Sequence, residues 1–165
     1  MSNTPNRASN SAGKPRKREV VHDLTTARNM LPLVRSIVTD VLAARQALDA
    51  LLPEQERLDR NRRDLAWLER QRRYQITDEI AAAERRWAGA VNELNELGVA
   101  LVNDETGEVA FPTKVNGRAA AFSWQQGEPE LKHWQYADDE VRRAIPTEWE
   151  KAGSVTATRA RRGQQ

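Results

Sequence analysis

From Val34 the apolar positions step by three and four through Ile37, Val41, Ala44, Leu48, Leu51, Leu58 and Leu65, the stripe of a helix with one dry face. Gln55 and Arg62 interrupt it. After a short break near Ala66 and Trp67 the same rhythm returns in Ile76, Ile80, Ala83, Trp87, Ala90, Leu94 and Leu97. The residues between are mostly Arg, Glu, Asp, Gln and Asn, so each helix is wet outside one narrow seam. The pattern predicts an antiparallel, coiled-coil-like helical hairpin over 31–97, with arms about 45 Å long. Such an arm exceeds what a small domain needs. It is therefore expected to pair with a second copy through Leu48, Leu51, Trp87 and Leu94, giving a four-helix homodimer.

Ahead of the hairpin, Asp23 is a good N-cap, while Pro32 disfavours helical geometry at Leu31. A short helix over 23–30 and a bend are expected there. Pro53 falls inside the first arm, on the side away from the seam, and predicts a kink or a break. Gly98 stands where a helix end takes a left-handed residue.

Beyond Gly98 the period drops from 3.6 to 2. Residues 99–102 read as a strand, 104–107 as a turn, and 108–111 as a second strand ended by Pro112. Asn116-Gly117 fits a type I′ turn that returns the chain as a strand over 118–124, and 131–136 reads as a fourth strand. Alternation puts Phe122 with Trp124 and Trp134 with Tyr136 on shared strand faces, where aromatics form a small core. The fold class is thus α+β, mainly α: a basic disordered tail over 1–19, a capped helix and hairpin over 20–98, a small antiparallel β-meander over 99–150, and a second basic disordered tail over 151–165.

Composition sharpens this picture in one respect. The 165 residues are 39% hydrophobic and 30% charged with a net charge of +2, yet 20–150 carries seventeen basic against twenty-three acidic side chains. The basic character belongs to the tails, so it does not mark the folded part as a nucleic-acid binder. There is no cysteine and there are two histidines, which excludes disulfides and thiolate metal sites and leaves no metal or cofactor expected. No apolar run approaches a membrane span and no signal segment is present, so the expected location is the cytoplasm, away from membranes.

Two clusters carry candidate chemistry. Around the hairpin tip, Arg60, Arg63, Arg70 and Arg73 are candidate phosphate contacts, although Asp59, Asp64 and Glu69 are interleaved and compete for the same guanidinium groups. In the meander, Trp124, Glu128, His133 and Trp134 are a candidate pocket, with Glu128 or His133 as acid or base. No nucleophile or second carboxylate stands at a recognisable spacing, so no catalytic residue is assigned. Three functions compete: an interaction protein that self-associates through its hairpin and engages a further protein partner, a nucleic-acid accessory protein using tails and tip, and a small ligand binder or enzyme on the meander.

Several pieces together resemble a known bacterial family. They are the stretch 27–32 ending in Leu31-Pro32, Leu97-Gly98-Val99, Val109-Ala110-Phe111-Pro112, Asn116-Gly117-Arg118, and Ser123-Trp124 followed by Gly127-Glu128 and Trp134. From His22 to Trp149 the chain resembles the uncharacterised family known as domain of unknown function 2203, and 65–74 and 134–149 look like its planctomycete branch. The resemblance implies the same order of capped helix, hairpin and strand block, and it implies no activity. Where many relatives have Cys before the first Trp and His after the later one, this chain has Ser123 and Gln135. A site built on that pair in relatives is lost here.

Overall fold

A computed structural model describes residues 20–151. Helix α1, Leu24–Arg60, begins at Asp23, whose carboxylate accepts from the Thr26 amide at 2.6 Å. That bond holds the Asp23 carboxyl below its ordinary range. The chain turns at the tip, and helix α2, Trp67–Glu96, returns antiparallel to α1. Glu69 accepts from the Ala66 amide at 3.3 Å and so satisfies one free donor at the start of α2. At its end Val99 N–H bonds Leu94 carbonyl at 2.9 Å and Gly98 N–H bonds Asn95 carbonyl at 3.0 Å, a Schellman cap with Gly98 at φ +72°.

The expected short helix over 23–30 is corrected: α1 is continuous, with Pro32 and Pro53 both inside it. The Pro53 position likewise brings no break, though its outward, exposed placement agrees with the pattern. An interior proline costs about 3 kcal/mol. Around Pro32 that is outweighed, because Ala27, Leu31, Val34, Ile37 and Val38 are buried on the other side, and each large apolar side chain contributes roughly 1.5–3 kcal/mol.

Five antiparallel strands follow in simple meander order: β1 Ala100–Asn103, β2 Glu108–Val115, β3 Arg118–Gln125, β4 His133–Tyr136 and β5 Arg143–Ala144. A short helix α3, Thr147–Lys151, closes the described chain. Asn116 at φ 52° and Gly117 at φ 74° make the expected type I′ turn between β2 and β3. Pro112 does not end β2 but pairs with Ala121 in its middle, which corrects the reading of 108–111. Its carbonyl accepts from the His22 amide at 2.7 Å, so the proline's backbone faces away from β3 and its missing N–H breaks no ladder bond. Strand β5 and helix α3 lie within the expected meander and are too short to show a period. The disorder expected of the tails concerns 1–19 and 152–165, outside the described residues, while Lys151 completes α3.

One contiguous core joins the first half of α1, the last turns of α2 and one face of the sheet: Val34, Val38, Val41, Leu94, Val109, Phe111, Phe122 and Trp124 are all essentially inaccessible. Farther out, Leu58, Ile76, Ile80 and Ala83 are buried only between the two helices. Among the described residues no helix is long and apolar enough to cross a membrane.

The outer hairpin is tied by Arg72, which donates to Glu54 at 2.7 and 3.0 Å and to Glu79 at 2.9 Å, and by Arg73, which donates to Asp59 at 2.7 Å. The Arg72 bonds hold the Glu54 carboxyl below its ordinary value of 4.5. Since the folded-state value is the lower one, this stabilisation is present at neutral pH and is lost as the pH falls through the carboxylate range. Glu54→Gln should therefore melt slightly below wild type at neutral pH, by little because both partners are about a third exposed, and the difference should close as the pH falls below the carboxylate range. A gap that persists in acid would show that the pair acts through packing instead. At the other end of the hairpin, a methyl group on Gly98 would lie 2.6 Å from Val20 Cγ1 in a left-handed backbone. Gly98→Ala should cost about 1–3 kcal/mol and lower the melting temperature accordingly.

Candidate functional site

The meander cluster divides between the two faces of the sheet. Register pairs Phe122 with Trp134 and Ser123 with His133, so Trp134 points into the core with Phe122, and His133 points outward with Ser123. Trp124 is fully buried and its indole N–H donates to the Glu128 carbonyl at 3.0 Å. Trp134 is 7% exposed and sits edge-on to Tyr136 at 4.9 Å and beside Trp149 at 5.2 Å. These tryptophans are packing residues.

On the outward face, Glu128 is enclosed by donors: Arg142 Nη2 at 2.9 and 3.2 Å and the Gln125 amide at 3.3 Å. His133 Nδ1 lies 3.9 Å from Glu128, beyond hydrogen-bond length. Arg142 also donates to the Ser123 carbonyl at 3.3 Å, and Ser123 Oγ bonds Glu108 at 3.3 Å. Glu128 thus fastens the β3–β4 connection to the residues just before β5, and both its oxygens are engaged by donors of the chain itself. Arg142 and Glu108, which complete this cluster, carry no spacing that marks them in the sequence. Gln135 pairs with Ala121 on the same outward face as Ser123. Among the described residues no three of His, Cys, Asp and Glu converge as a metal site.

The hairpin tip sorts its arginines. Arg60 pairs with Glu56 at 2.7 Å and Arg73 with Asp59 at 2.7 Å, while Arg63 and Arg70 have no ion pair among the described residues. Beside them lie three large exposed side chains, Trp67 at 62%, Leu68 at 72% and Tyr74 at 73% exposure. The seam reading passed over Trp67 and Tyr74 because they stand on the side of α2 opposite the buried stripe, and over Leu68 because it stands on the flank between. The signal of Trp67 and Tyr74 is a second seven-residue spacing, continued by Ala81 and Ala88. Of the residues assigned to self-association, Leu94 is fully enclosed within the chain, Trp87 is half-buried against the central core, and Leu48 and Leu51 are half-buried along the arm.

No curated protein and no solved structure matches the chain. A family model described as "Uncharacterized conserved protein (DUF2203)" matches residues 21–143, from the strap before α1 to the start of β5. The hairpin followed by a strand block that the resemblance implies is observed, with the capped helix continuous with the first arm, and the chain belongs to this family.

Proposed function

We propose that the chain is an interaction protein that self-associates through its helical hairpin and offers the joined arms as a scaffold to a further protein. The observation that carries this reading is the exposed group Trp67, Leu68 and Tyr74 beside Arg70, which has no ion pair among the described residues, at the end of an arm whose outer half, among those residues, packs only on itself. Trp, Tyr and Arg are the side chains that anchor protein interfaces most often, because each combines a large rigid contact area with a polar end. An arm that buries one narrow seam also gains most from a second layer. Arg63 and Arg70 favour a second reading, in which the tip grips nucleic acid by phosphate contacts while the aromatics stack on bases.

Light scattering on the full chain at micromolar concentration separates the two readings when combined with a salt series. The expected mass is that of two chains, with oligonucleotide binding weak at physiological salt. A single-chain mass, together with tight oligonucleotide binding that Arg63→Gln and Arg70→Gln abolish, would give the tip to nucleic acid.

A further inference from the structure

The helical layer is covered by the sheet on one side and open on the other. Val38 and Leu42 of α1 pack on the β1–β2 turn at Gly107, and Trp87 and Val91 of α2 pack on the core shared with the sheet. Two residues on from these, Asp40, Ala44, Gly89 and Glu93 stand about 160° around the same helices. Together with Arg86 and Ala90 they line a groove of about 530 Å³ on the side away from the sheet, floored by the buried Ala44 and Ala90. Those alanines are small where α1 and α2 approach each other. Gly89 has no such reason: it is exposed in a helix interior, where glycine is disfavoured, and among the described residues nothing lies within 4 Å of where its Cβ would be.

Charge is ordered about Gly89. Arg85 and Arg86 precede it and Glu93 and Glu96 follow it, all exposed and without an ion pair among the described residues. Arg86 and Glu93 stand about 20° apart around α2 on the edge that lines the groove, and Arg85 and Glu96 stand about 20° apart on the outer edge. Each pair is separated by about 10 Å or more along the helix, too far to close within the chain. Glu93 and Glu96 also share the last turn of α2, where no basic residue accompanies them and the partial negative charge of the helix end opposes them. Because the helices run antiparallel, Asp40 stands at the same end of the groove as Glu93, and it too has no ion pair among the described residues. Glu84, seven residues before Val91, lies on the sheet side.

We propose that a second copy of this chain seats its groove side on this one, end for end, about a twofold axis level with Ala90, so that four helices lie between two outer sheets. The two α2 then run antiparallel and overlap over 84–96, and positions equally far before and after Ala90 come level. Arg86 of each copy comes level, to within one residue, with Glu93 of the other, and Arg85 with Glu96 likewise. A twofold at right angles to the helices keeps each edge on its own side, so both pairs close, each of them twice. Asp40 gives the incoming Arg86 a second carboxylate. Gly89 lies beside the axis, at the closest approach of the two α2, where a missing side chain lets the backbones meet. A twofold along the arms would instead lay α2 on the α1 of the second copy with Glu93 level with Asp40, carboxylate on carboxylate, so the charges select the antiparallel arrangement. This geometry rests on the self-association reading and gives it a face and a direction.

The absence of cysteine from the chain allows a direct test. Gly89→Cys in the full chain should give a disulfide-linked dimer on oxidation, because its two copies stand about 3 Å apart along the helices at the closest approach. Ala82→Cys, on the same side of α2, should not, since its two copies stand about 24 Å apart along the helices. Gly89→Leu should raise the helix propensity of α2 and yet weaken self-association by about tenfold. Arg85→Glu and Glu96→Arg should each weaken it about threefold, since two exposed pairs turn repulsive, and the double variant should restore it. Circular dichroism checks that these substitutions leave the fold intact, and Arg85→Gln supplies a milder step in the same direction. A two-chain mass without the Gly89→Cys link, with a link through Ala82→Cys, or with no rescue by the charge swap overturns this arrangement and leaves self-association standing. A single-chain mass overturns both.

Discussion

Helix α1 serves two layers at once, and everything else is placed by that. Over its first half Val34, Val38 and Val41 are completely buried in the core that also holds Phe111, Phe122 and Trp124 of the sheet and Leu94 of α2. Beyond Arg45, which still donates to Asp104 and Glu105 of the β1–β2 turn, only α2 packs on it among the described residues. Hydrophobic burial holds the base of the molecule as a three-sided core, whereas the outer hairpin is a two-helix structure with a dry seam one or two side chains wide. The His22 strap reinforces the base: its amide bonds the Pro112 carbonyl, and its Nε2 donates to the Gly98 carbonyl at 3.2 Å. The strand block and the cap of α2 are thereby fastened to the segment that opens α1.

Periodicity made the seam and the strands legible because both are properties of single elements. Val34, Ile37, Val41, Ala44, Leu58 and Leu65 are buried as their spacing requires, as are Ile76, Ile80, Ala83, Ala90 and Leu94. Asn116-Gly117 was legible for the same local reason. Proline was misjudged where tertiary packing outweighs a local penalty: one lost bond at Pro32 stands against several buried aliphatic side chains, and Pro112 loses nothing where β1 has already ended. Neither outcome is visible without knowing what lies across from the proline.

The pocket expectation turned on register, which alternation within a strand does not provide. Trp124 with Phe122 and Trp134 with Tyr136 share faces as read, but only the pairing of β3 with β4 shows that all four look toward the helices while His133 looks away. The tryptophans and the titratable groups therefore belong to different surfaces. At the tip the sequence showed seven arginines among three acids, and which of them pair depends on contacts across the hairpin, such as Arg73 with Asp59 and Arg72 with Glu54. Only Arg62, Arg63 and Arg70 of these emerge without an ion pair among the described residues.

The charge left over has a direction. Between Arg57 and Arg73 basic side chains exceed acidic ones by four, while the rest of 20–150 is acidic by ten. A long body with a positive end and a negative flank has its lowest electrostatic energy beside another such body pointing the opposite way. The packing gradient acts in the same sense. The arm beyond Ala44 extends about 25 Å with a single seam, so it is the part whose local stability is lowest and which any bound partner would stabilise most. A short arm would have lain against the sheet and needed nothing more. The proposed second layer, another hairpin, would account for the length of this one and its polarity.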